Sequence, residues 1–438
     1  MKHHSVIARV DAEAVFLSVN GKAYERLPYN IEGLIPLTNG AGDRDLMEIL
    51  EFFLTLYASD RLIPRSKWYW PRSIDITFPV TSVARWNDCR QLLEQLIWQS
   101  TGDIVAILPV PRPKSDVHVD VRATRFVLEH EQPVSVIMLS EGLDSLCGAF
   151  QAARSKQELL AFVSIVTNSR KRARLNELLR GLKEALASTS DLRFHHAHWH
   201  LEDSPSRQER TQRARTMLAI ATGLTVACSY GTKRVIVSEN GMGILNLPNP
   251  LLQTLHESSQ VLHPSNLSLW EQVSKQMLNG ATIAYPNRFY TKAQMCLDIP
   301  DGARRLIGKT SSCDAPPRIN AQADCGLCGS CQYRRSSLAI SDLLLFDTDY
   351  AFPQSASAAF DPLDLQFRQA VHLRRCLEGS SDMWKQWDAL TEHFPTLQSS
   401  IIGHGVGERT SEIQDTIMLI ERHVSEMARC ASGCANAV

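Results

Sequence analysis

Four cysteines in the C-terminal half of the chain could together bind a metal ion. They follow the spacing Cys313-x11-Cys325-x2-Cys328-x2-Cys331, and glycines between the last three would allow tight turns. Four thiolates make a closed tetrahedral site for Zn²⁺ with no position left for water, so the predicted zinc is structural. An iron–sulfur cluster uses the same ligands, and four unrelated buried cysteines are a third alternative. Three cysteines within seven residues favour a metal.

Six consecutive residues, Ser140-Glu141-Gly142-Leu143-Asp144-Ser145, could bind phosphate. They follow an apolar run, Val134 to Leu139, and open a helical pattern that extends to Arg154. Ligands of open parallel sheets bind beyond the carboxyl ends of strands, where a helix N-terminus offers free N–H groups and a positive dipole end. The serine hydroxyls would add donors, and Asp144 could orient a loop amide or hold Mg²⁺. The alternative is that Ser and Asp simply cap the helix.

Two arginines are candidates for clamping a phosphate or a substrate carboxylate. Arg170 follows the second predicted strand, and Arg210 follows the third. In a parallel sheet both would begin at the edge where ligands bind, and arginine is suited to bidentate recognition of such anions. The alternative for each is a side chain on a solvent-facing helix surface.

Strands and helices alternate from residue 134 to residue 238, and this alternation must position the candidate residues. We predict strands at Val134–Leu139, Leu159–Val166, Leu192–His200 and Arg234–Ser238, with helices at Leu143–Arg154, Ser169–Ala187 and Glu209–Ala227 between them. Apolar runs of this length suit strands buried on both faces. The order predicts βαβ units and an α/β fold with a parallel sheet.

The regions on either side of this central part have different patterns of predicted secondary structure. Residues 1–128 are predicted to form a mixed α/β domain for partner binding or substrate capping, with a strand at Ser73–Phe78 and helices at Arg44–Tyr57 and Asn87–Trp98. The proline-rich segment 109–114 resists regular structure and predicts a connection. Residues 129–350 form the predicted nucleotide-binding domain, and residues 351–438 a helical region.

Bulk composition excludes some classes of protein. The chain has 438 residues and a formal net charge of −1, so no global field attracts nucleic acid or membranes. Its first residues lack the apolar core of a signal peptide, and no apolar run reaches the length of about 18 residues that predicts a membrane span. Eleven cysteines, mostly scattered singly, suit a reducing compartment. We therefore expect a cytoplasmic protein.

The loop and the cysteine cluster resemble two motifs of one enzyme family. Ser140–Ser145 resembles SGGxDS, the loop of the ATP pyrophosphatase superfamily, with Glu141 where that family has its first glycine. The cysteines, followed by Arg334 and Arg335, resemble the Cys₄ zinc knuckle of the 7-cyano-7-deazaguanine synthases (QueC family), which have both motifs in this order. Thr291-Lys292 resembles a lysine-containing position ahead of a helix in these synthases, which makes Lys292 a third candidate clamp that could neutralise phosphate charge; the alternative is a surface lysine. The resemblance covers about Val134 to Tyr350, roughly half the chain.

This resemblance implies a HUP-like domain, a structural Zn²⁺, and ATP bound with Mg²⁺ at the loop. In the family, ATP adenylates 7-carboxy-7-deazaguanine, and ammonia then gives an amide and a nitrile. Longer members of the family are encoded in bacterial anti-phage operons of the Qat and CBASS types. The chain resembles them in its long flanking regions and in two short segments, Asn168-Ser169-Arg170 and Glu239-Asn240-Gly241. For those members the resemblance implies a ligase that attaches a deazapurine to the amino terminus of a partner protein encoded nearby.

Three alternatives remain open at the level of the sequence. The first is a small-molecule 7-cyano-7-deazaguanine synthase for nucleoside biosynthesis. The second is a degenerate nucleotide-binding scaffold without catalysis, suggested by Glu141. The third is tRNA thiolation, for which Cys147 and Cys228 lack a supporting motif and no basic RNA-binding face is evident. Nucleic acid is therefore not expected as a direct substrate.

Overall fold

The computed structural model shows how these segments fold. It describes residues 2–11, 14–30, 43–65, 71–113, 133–154, 158–167, 169–186, 191–199, 209, 211–248, 259–278, 280–313, 323–352 and 365–435. Within these residues a ten-stranded sheet runs in the order β10-β9-β6-β7-β8-β3-β2-β1-β4-β5. The strands are β1 (His3–Val10), β2 (Ala14–Val19), β3 (Glu25–Asn30), β4 (Ser73–Val80), β5 (Ile104–Pro111), β6 (Val134–Met138), β7 (Leu159–Val166), β8 (Leu192–Trp199), β9 (Arg234–Val237) and β10 (Thr282–Ala284).

Helices cover both faces of the central strands. The helices before residue 350 are α1 (Asp43–Leu62), α2 (Val83–Thr101), α3 (Leu143–Ala153), α4 (Ser169–Leu186), α5 (Arg215–Ser229), α6 (Gly241–Leu245), α7 (Pro264–Met277), α8 (Lys292–Cys296) and α9 (Gly329–Ile340). Alternate residues of β7 belong to different clusters: Leu160 and Phe162 pack with α3 and α4, whereas Ala161 and Val163 pack with α5. The strand is therefore buried on both sides, as its continuous apolar sequence predicted.

The central half of the sheet, β10-β9-β6-β7-β8, is parallel throughout. From β6 the chain moves outward through β7 to β8 and then returns to β9 on the other side of β6. The carboxyl ends of β6 and β9 are therefore neighbours at the point where the strand order reverses. This is where open α/β sheets leave a crevice for ligands.

The N-terminal half of the sheet continues the central half through one short antiparallel pairing. Tyr29 of β3 lies opposite Trp199 of β8, and their rings are 5.6 Å apart. Strands β3, β2 and β1 are antiparallel, whereas β1, β4 and β5 are parallel. One apolar core includes residues from both halves, with α1 packing against α5. Strands β1 to β5 and the central strands thus share a sheet, and the described helix α1 shares a core with α5.

Several boundaries differ from the sequence predictions, among them the start of the connection expected at 109–114 and the start of α5. The connection expected at 109–114 begins later, because β5 continues through Pro109 to Pro111. β5 is the last strand of the sheet within the described residues, and an edge strand tolerates prolines because one side of its backbone has no strand to bond. Helix α5 begins at Arg215 rather than Glu209, whose carboxylate accepts hydrogen bonds from the backbone N–H groups of Arg65 and Thr211.

The C-terminal region is helical, as its periodicity predicted. It contains α10 (Leu365–Glu378), α11 (Met383–His393), α12 (Thr396–Ser399) and α13 (Val406–Ala435). Their apolar faces form a separate cluster, which also takes in Met242, Leu245 and Tyr333 from around α6 and α9. Among the described helices, none is both long and apolar enough to cross a membrane.

Candidate functional site

A cavity of about 430 Å³ opens at the carboxyl ends of β6 and β9. Its volume lies within the range of about 300–1,000 Å³ that small-molecule sites occupy. Its walls come from four parts of the chain: the loop after β6, the segment after β9, the start of α8, and the region around α9 and α10. The lining residues are Ser140, Gly142, Leu143, Asp144, Ser145, Ser238, Glu239, Asn240, Met242, Gly243, Asn246, Leu247, Lys292, Ser312, Gly329, Ser330, Tyr333 and Gln369.

The loop after β6 wraps around the first turn of α3. The Ser145 hydroxyl accepts a hydrogen bond from the Ser140 backbone N–H at 3.0 Å and lies 2.8 Å from the Ser140 hydroxyl. Gly142 precedes the helix in an extended conformation and provides no side-chain cap. The N-terminus of α3 therefore faces the cavity with its dipole and without a capping side chain, which suits an anion. The prediction that Ser or Asp only caps the helix does not fit Gly142 in that position.

Glu141 belongs to this loop but does not line the cavity. Among the described residues, positive φ at non-glycine positions is confined to Asn20, Asn246 and Asp342, so Glu141 adopts an ordinary conformation. Its backbone carbonyl accepts a hydrogen bond from Ser311 N–H at 2.7 Å, and it is absent from the described lining of the cavity. Its side chain thus neither strains the loop nor occupies the anion-facing surface.

Asp144 is the centre of a buried polar network at the base of the cavity. Lys292 Nζ lies 2.6 Å from Oδ1, and the Asn240 side-chain amide donates to Oδ2 at 2.7 Å. The same amide nitrogen lies 2.8 Å from Glu239 Oε1. The Tyr333 hydroxyl donates to Asn240 Oδ1 at 3.1 Å. Residues up to 148 positions apart in the sequence therefore meet on one carboxylate.

The pKa values of the two carboxyl groups in this network are shifted in opposite directions. Burial alone would raise the pKa of Asp144, but the Lys292 ammonium and the hydrogen bonds to the carboxylate hold that pKa below its ordinary value. Burial and the neighbouring Asp144 raise the pKa of Glu239 well above its ordinary value. Burial would lower the pKa of Lys292, yet the two acids raise it. The network thus favours the charged forms of Asp144 and Lys292 and the protonated form of Glu239.

Local structure fixes the partners of Asp144 in place. Thr291 caps α8 through a reciprocal capping box with Gln294, and its hydroxyl donates to Glu426 of α13 at 2.7 Å. Lys292 is the first residue of that helix. Asn240 caps α6 by accepting from Gly243 N–H at 3.0 Å, so one side chain serves both the helix and Asp144.

Glycine permits the close approach of α3 and β9 that brings the two strand ends together. A Cβ atom at Gly148 would lie 1.8 Å from the Ser238 hydroxyl oxygen. At Gly243, a Cβ atom would lie 2.2 Å from Glu239 Oε1. Real Cβ contacts are much longer, so a side chain at Gly148 would push α3 away from the segment that carries Glu239 and Asn240.

The four predicted cysteines come together beside the cavity. Their sulfur atoms lie within 4.8 Å of one another, with 3.9 Å between those of Cys325 and Cys331. A tetrathiolate site with bonds of about 2.3 Å needs sulfurs about 3.8 Å apart, so the cluster could hold a metal ion. Backbone N–H groups of Leu327 and Cys328 point at Cys325 Sγ, both at 3.3 Å. Such donors would stabilise a thiolate.

Buried charges connect the cysteine cluster to the rest of the domain. Asp324 is 1 % exposed and accepts from Ser311 Oγ at 2.7 Å and from Arg174 NH1 at 2.7 Å. Arg334, on the helix that begins at the cluster, is fully buried and pairs with Asp347 Oδ1 at 2.7 Å. Arg334 thus anchors α9 and does not line the cavity. Gly329 and Ser330, at the start of α9, do line it.

The structure brings together the loop Ser140–Ser145 and Lys292, whose side chain reaches Asp144. Of the other two candidate clamps, Arg210 lies outside the described residues. The backbone of Arg170 belongs to the first turn of α4, but its side chain lies outside the described part of the structure. The lining residues Tyr333 and Gln369 were not predicted. Tyr333 could have been found, since it lies one helical turn beyond Gly329 on α9.

Comparison of the chain with protein-family models, with curated proteins and with solved structures finds no match in any of the three.

Proposed function

We propose that this protein is an ATP-dependent adenylating ligase of the QueC-like type, with a HUP-like central domain. The observation that carries the proposal is the meeting of both sequence motifs at one cavity. Ser140 and residues 142–145 of the predicted phosphate loop form one wall, and α9, which starts at the Cys₄ cluster, forms another. Two motifs about 170 residues apart would have no reason to share a cavity if each were only structural.

Phosphates of ATP would bind at the exposed start of α3. The helix dipole and free N–H groups favour negative charge there, and Ser140 and Ser145 add hydroxyl donors. The Asp144 carboxylate fits Mg²⁺, a hard cation that prefers oxygen ligands and that would offset phosphate charge. Lys292 would then be released from its pair with Asp144 to meet a phosphate oxygen.

The Cys₄ cluster fits a structural Zn²⁺, because four thiolates leave no coordination position for water or substrate. Its part in the reaction would be to hold the first turn of α9, so that Ser330 and Tyr333 line the cavity, with the Tyr333 hydroxyl next to the network around Asp144. The substrate carboxylate, of the 7-carboxy-7-deazaguanine type, would attack the α-phosphate and pyrophosphate would leave. An amine, which we propose to be the amino terminus of a partner protein in anti-phage defence, would then displace AMP to form an amide.

The test uses hydroxylamine as the acceptor, so that the natural partner is not required. Purified protein receives ATP, Mg²⁺ and 7-carboxy-7-deazaguanine, and we expect AMP and a hydroxamate in equal amounts. Asp144→Asn should abolish both products. The matched control is Asp298→Asn, whose carboxylate binds Gln151 and Arg154 at the far end of α3, and it should retain activity.

Three other outcomes would point to different functions. ATP binding without AMP would contradict the enzyme and favour the nucleotide-binding scaffold. Equal activity in both variants would remove Asp144 from the mechanism. With ammonia in place of hydroxylamine, a product with the mass of the nitrile would favour the small-molecule synthase over a ligase that stops at the amide.

A further inference from the structure

A second cluster of metal-binding side chains lies in the C-terminal helices. His372 and Cys376 belong to α10, and His393 is the last residue of α11. One ligand atom from each of the three lies within 4.8 Å of the other two. We propose that these residues form a second metal site, for a divalent ion of the zinc class.

Helix geometry explains why the three donors converge. Residues four apart on a helix share one face, so the imidazole of His372 and the thiol of Cys376 project in the same direction. Helices α10 and α11 pack against each other, and only residues 379–382 separate them. The third donor therefore comes from the neighbouring helix of a hairpin that a short loop already closes.

The arrangement of the rings is close to that of a metal site. The two imidazole centroids are 4.8 Å apart, with their planes at 83°. With metal–nitrogen bonds of about 2.1 Å and tetrahedral angles, two coordinating imidazoles have centroids about 5 Å apart. Phe394 also contacts the His372 ring, edge to face at 5.5 Å. The protein therefore holds His372 near a ligating orientation, and small side-chain rotations would complete the contacts.

The donor set indicates which ions would bind. Two imidazoles and one thiolate are borderline-to-soft ligands, which favour Zn²⁺ and related transition metals over Mg²⁺ or Ca²⁺. Cys376 is buried, whereas His393 is exposed. An ion could therefore enter from the His393 side and keep a water molecule as its fourth ligand. This open coordination contrasts with the closed Cys₄ cluster.

Occupancy of this site would also affect the candidate active site. Gln369 lies one turn before His372 on α10, lines the cavity, and donates from Nε2 to the Leu247 carbonyl at 2.8 Å. A metal that fixes α10 against α11 would therefore fix one wall of the cavity. The metal site itself does not depend on the proposed adenylating activity.

The test compares metal content between the full-length protein and three variants. Each protein is incubated with excess Zn²⁺, freed of unbound metal by gel filtration, and measured by mass spectrometry for zinc per chain. We expect His393→Ala and Cys376→Ser each to carry one zinc ion fewer than the unmodified protein. The matched control is His404→Ala, which removes an exposed histidine outside the cluster and should leave the content unchanged.

His393 is exposed, so its replacement should leave the fold intact, and circular dichroism checks this. Cobalt provides a second readout. In the unmodified protein the second equivalent of Co²⁺ should add a thiolate charge-transfer band weaker than the first, because one thiolate takes part instead of four. Equal zinc content in all four proteins, or an unchanged cobalt titration in Cys376→Ser, would overturn the proposal.

Discussion

Replacing Lys292 with methionine should strongly destabilise the protein at neutral pH. The side chains of Lys292 and Asp144 are only 11 % and 8 % exposed, and Nζ lies 2.6 Å from Oδ1. The variant would leave a buried carboxylate without its cation. Removing one partner of a buried ion pair typically costs about 3–5 kcal/mol of unfolding free energy. Methionine keeps most of the volume, so this cost reports on charge more than on packing.

The loss of unfolding free energy in Lys292→Met should become smaller as pH falls. In the unmodified protein the pKa of Asp144 is held below its ordinary value of 3.8, so its stabilising effect is present above about pH 4 and lost at lower pH. Without Lys292, burial would raise the pKa of Asp144 above its value in the unfolded chain. The variant would then gain stability as pH falls and its buried acids take up protons. The difference between the two proteins should therefore narrow from pH 7 towards pH 4.

Urea unfolding at pH 7 and near pH 4.5 measures both effects, with the slope against urea checking that the same transition is compared. The matched control is Lys309→Met, because Lys309 pairs with Glu177 while both side chains remain nearly half exposed. That variant should lose no more than about 1 kcal/mol. The double variant Asp144→Asn, Lys292→Met should recover part of the loss. A Lys292→Met protein as stable as the control, or one with the same deficit at both pH values, would refute the reasoning.

Three further predictions concern the elements around the cavity. Gly148→Ala should destabilise by about 1–3 kcal/mol in urea unfolding, because its Cβ would collide with Ser238, whereas Gly302→Ala, which has open space at that position, should not. Near pH 4, where this acid is mostly protonated in both the folded and the unfolded chain, Glu239→Gln should change the unfolding free energy by less than about 1 kcal/mol. As pH rises the variant should become more stable than the unmodified protein in urea unfolding, because the pKa of Glu239 is raised in the folded protein and its ionisation therefore favours the unfolded chain. Elemental analysis of Cys331→Ser should find less bound metal than in the unmodified protein. Its thermal unfolding midpoint should also be lower, because metal binding contributes to folding.

The central strands could be predicted from the sequence because they are buried on both faces. β7 runs from Leu159 to Val166 as predicted, and β6 ends at Met138, one residue earlier than predicted. β8 begins at Leu192 as predicted, and its predicted last residue, His200, lies outside the described residues. Such strands form continuous apolar runs whose pattern does not depend on distant partners. Within the described residues the register between β3 and β8 rests on two residue pairs, and no periodicity in the chain indicates so short a contact. The continuity of the sheet therefore became visible only in three dimensions.

Parts of the candidate site could likewise be predicted from the sequence, whereas other parts could not. The loop Ser140–Ser145 and the cysteine spacing could be identified because each is contiguous or nearly so in the sequence. The contact between Asp144 and Lys292 joins residues 148 positions apart, and it requires both the parallel sheet and the position of α8 beside α3. Glu239 and Asn240 could be located after β9, but their effect on Asp144 depends on the reversal of strand order at β6.

The C-terminal helices contact the candidate site directly, although they are far in the sequence from the loop Ser140–Ser145. Glu426 of α13 accepts the Thr291 hydroxyl at the start of α8, and Glu412 forms an ion pair with Arg288 just before it. Gln369 of α10 reaches the cavity itself. Since Lys292 directly follows Thr291, these contacts hold the cation that balances Asp144. A chain without its last 88 residues would lack two supports of the segment that carries Lys292 and one residue of the cavity wall, so the helical region is part of the site.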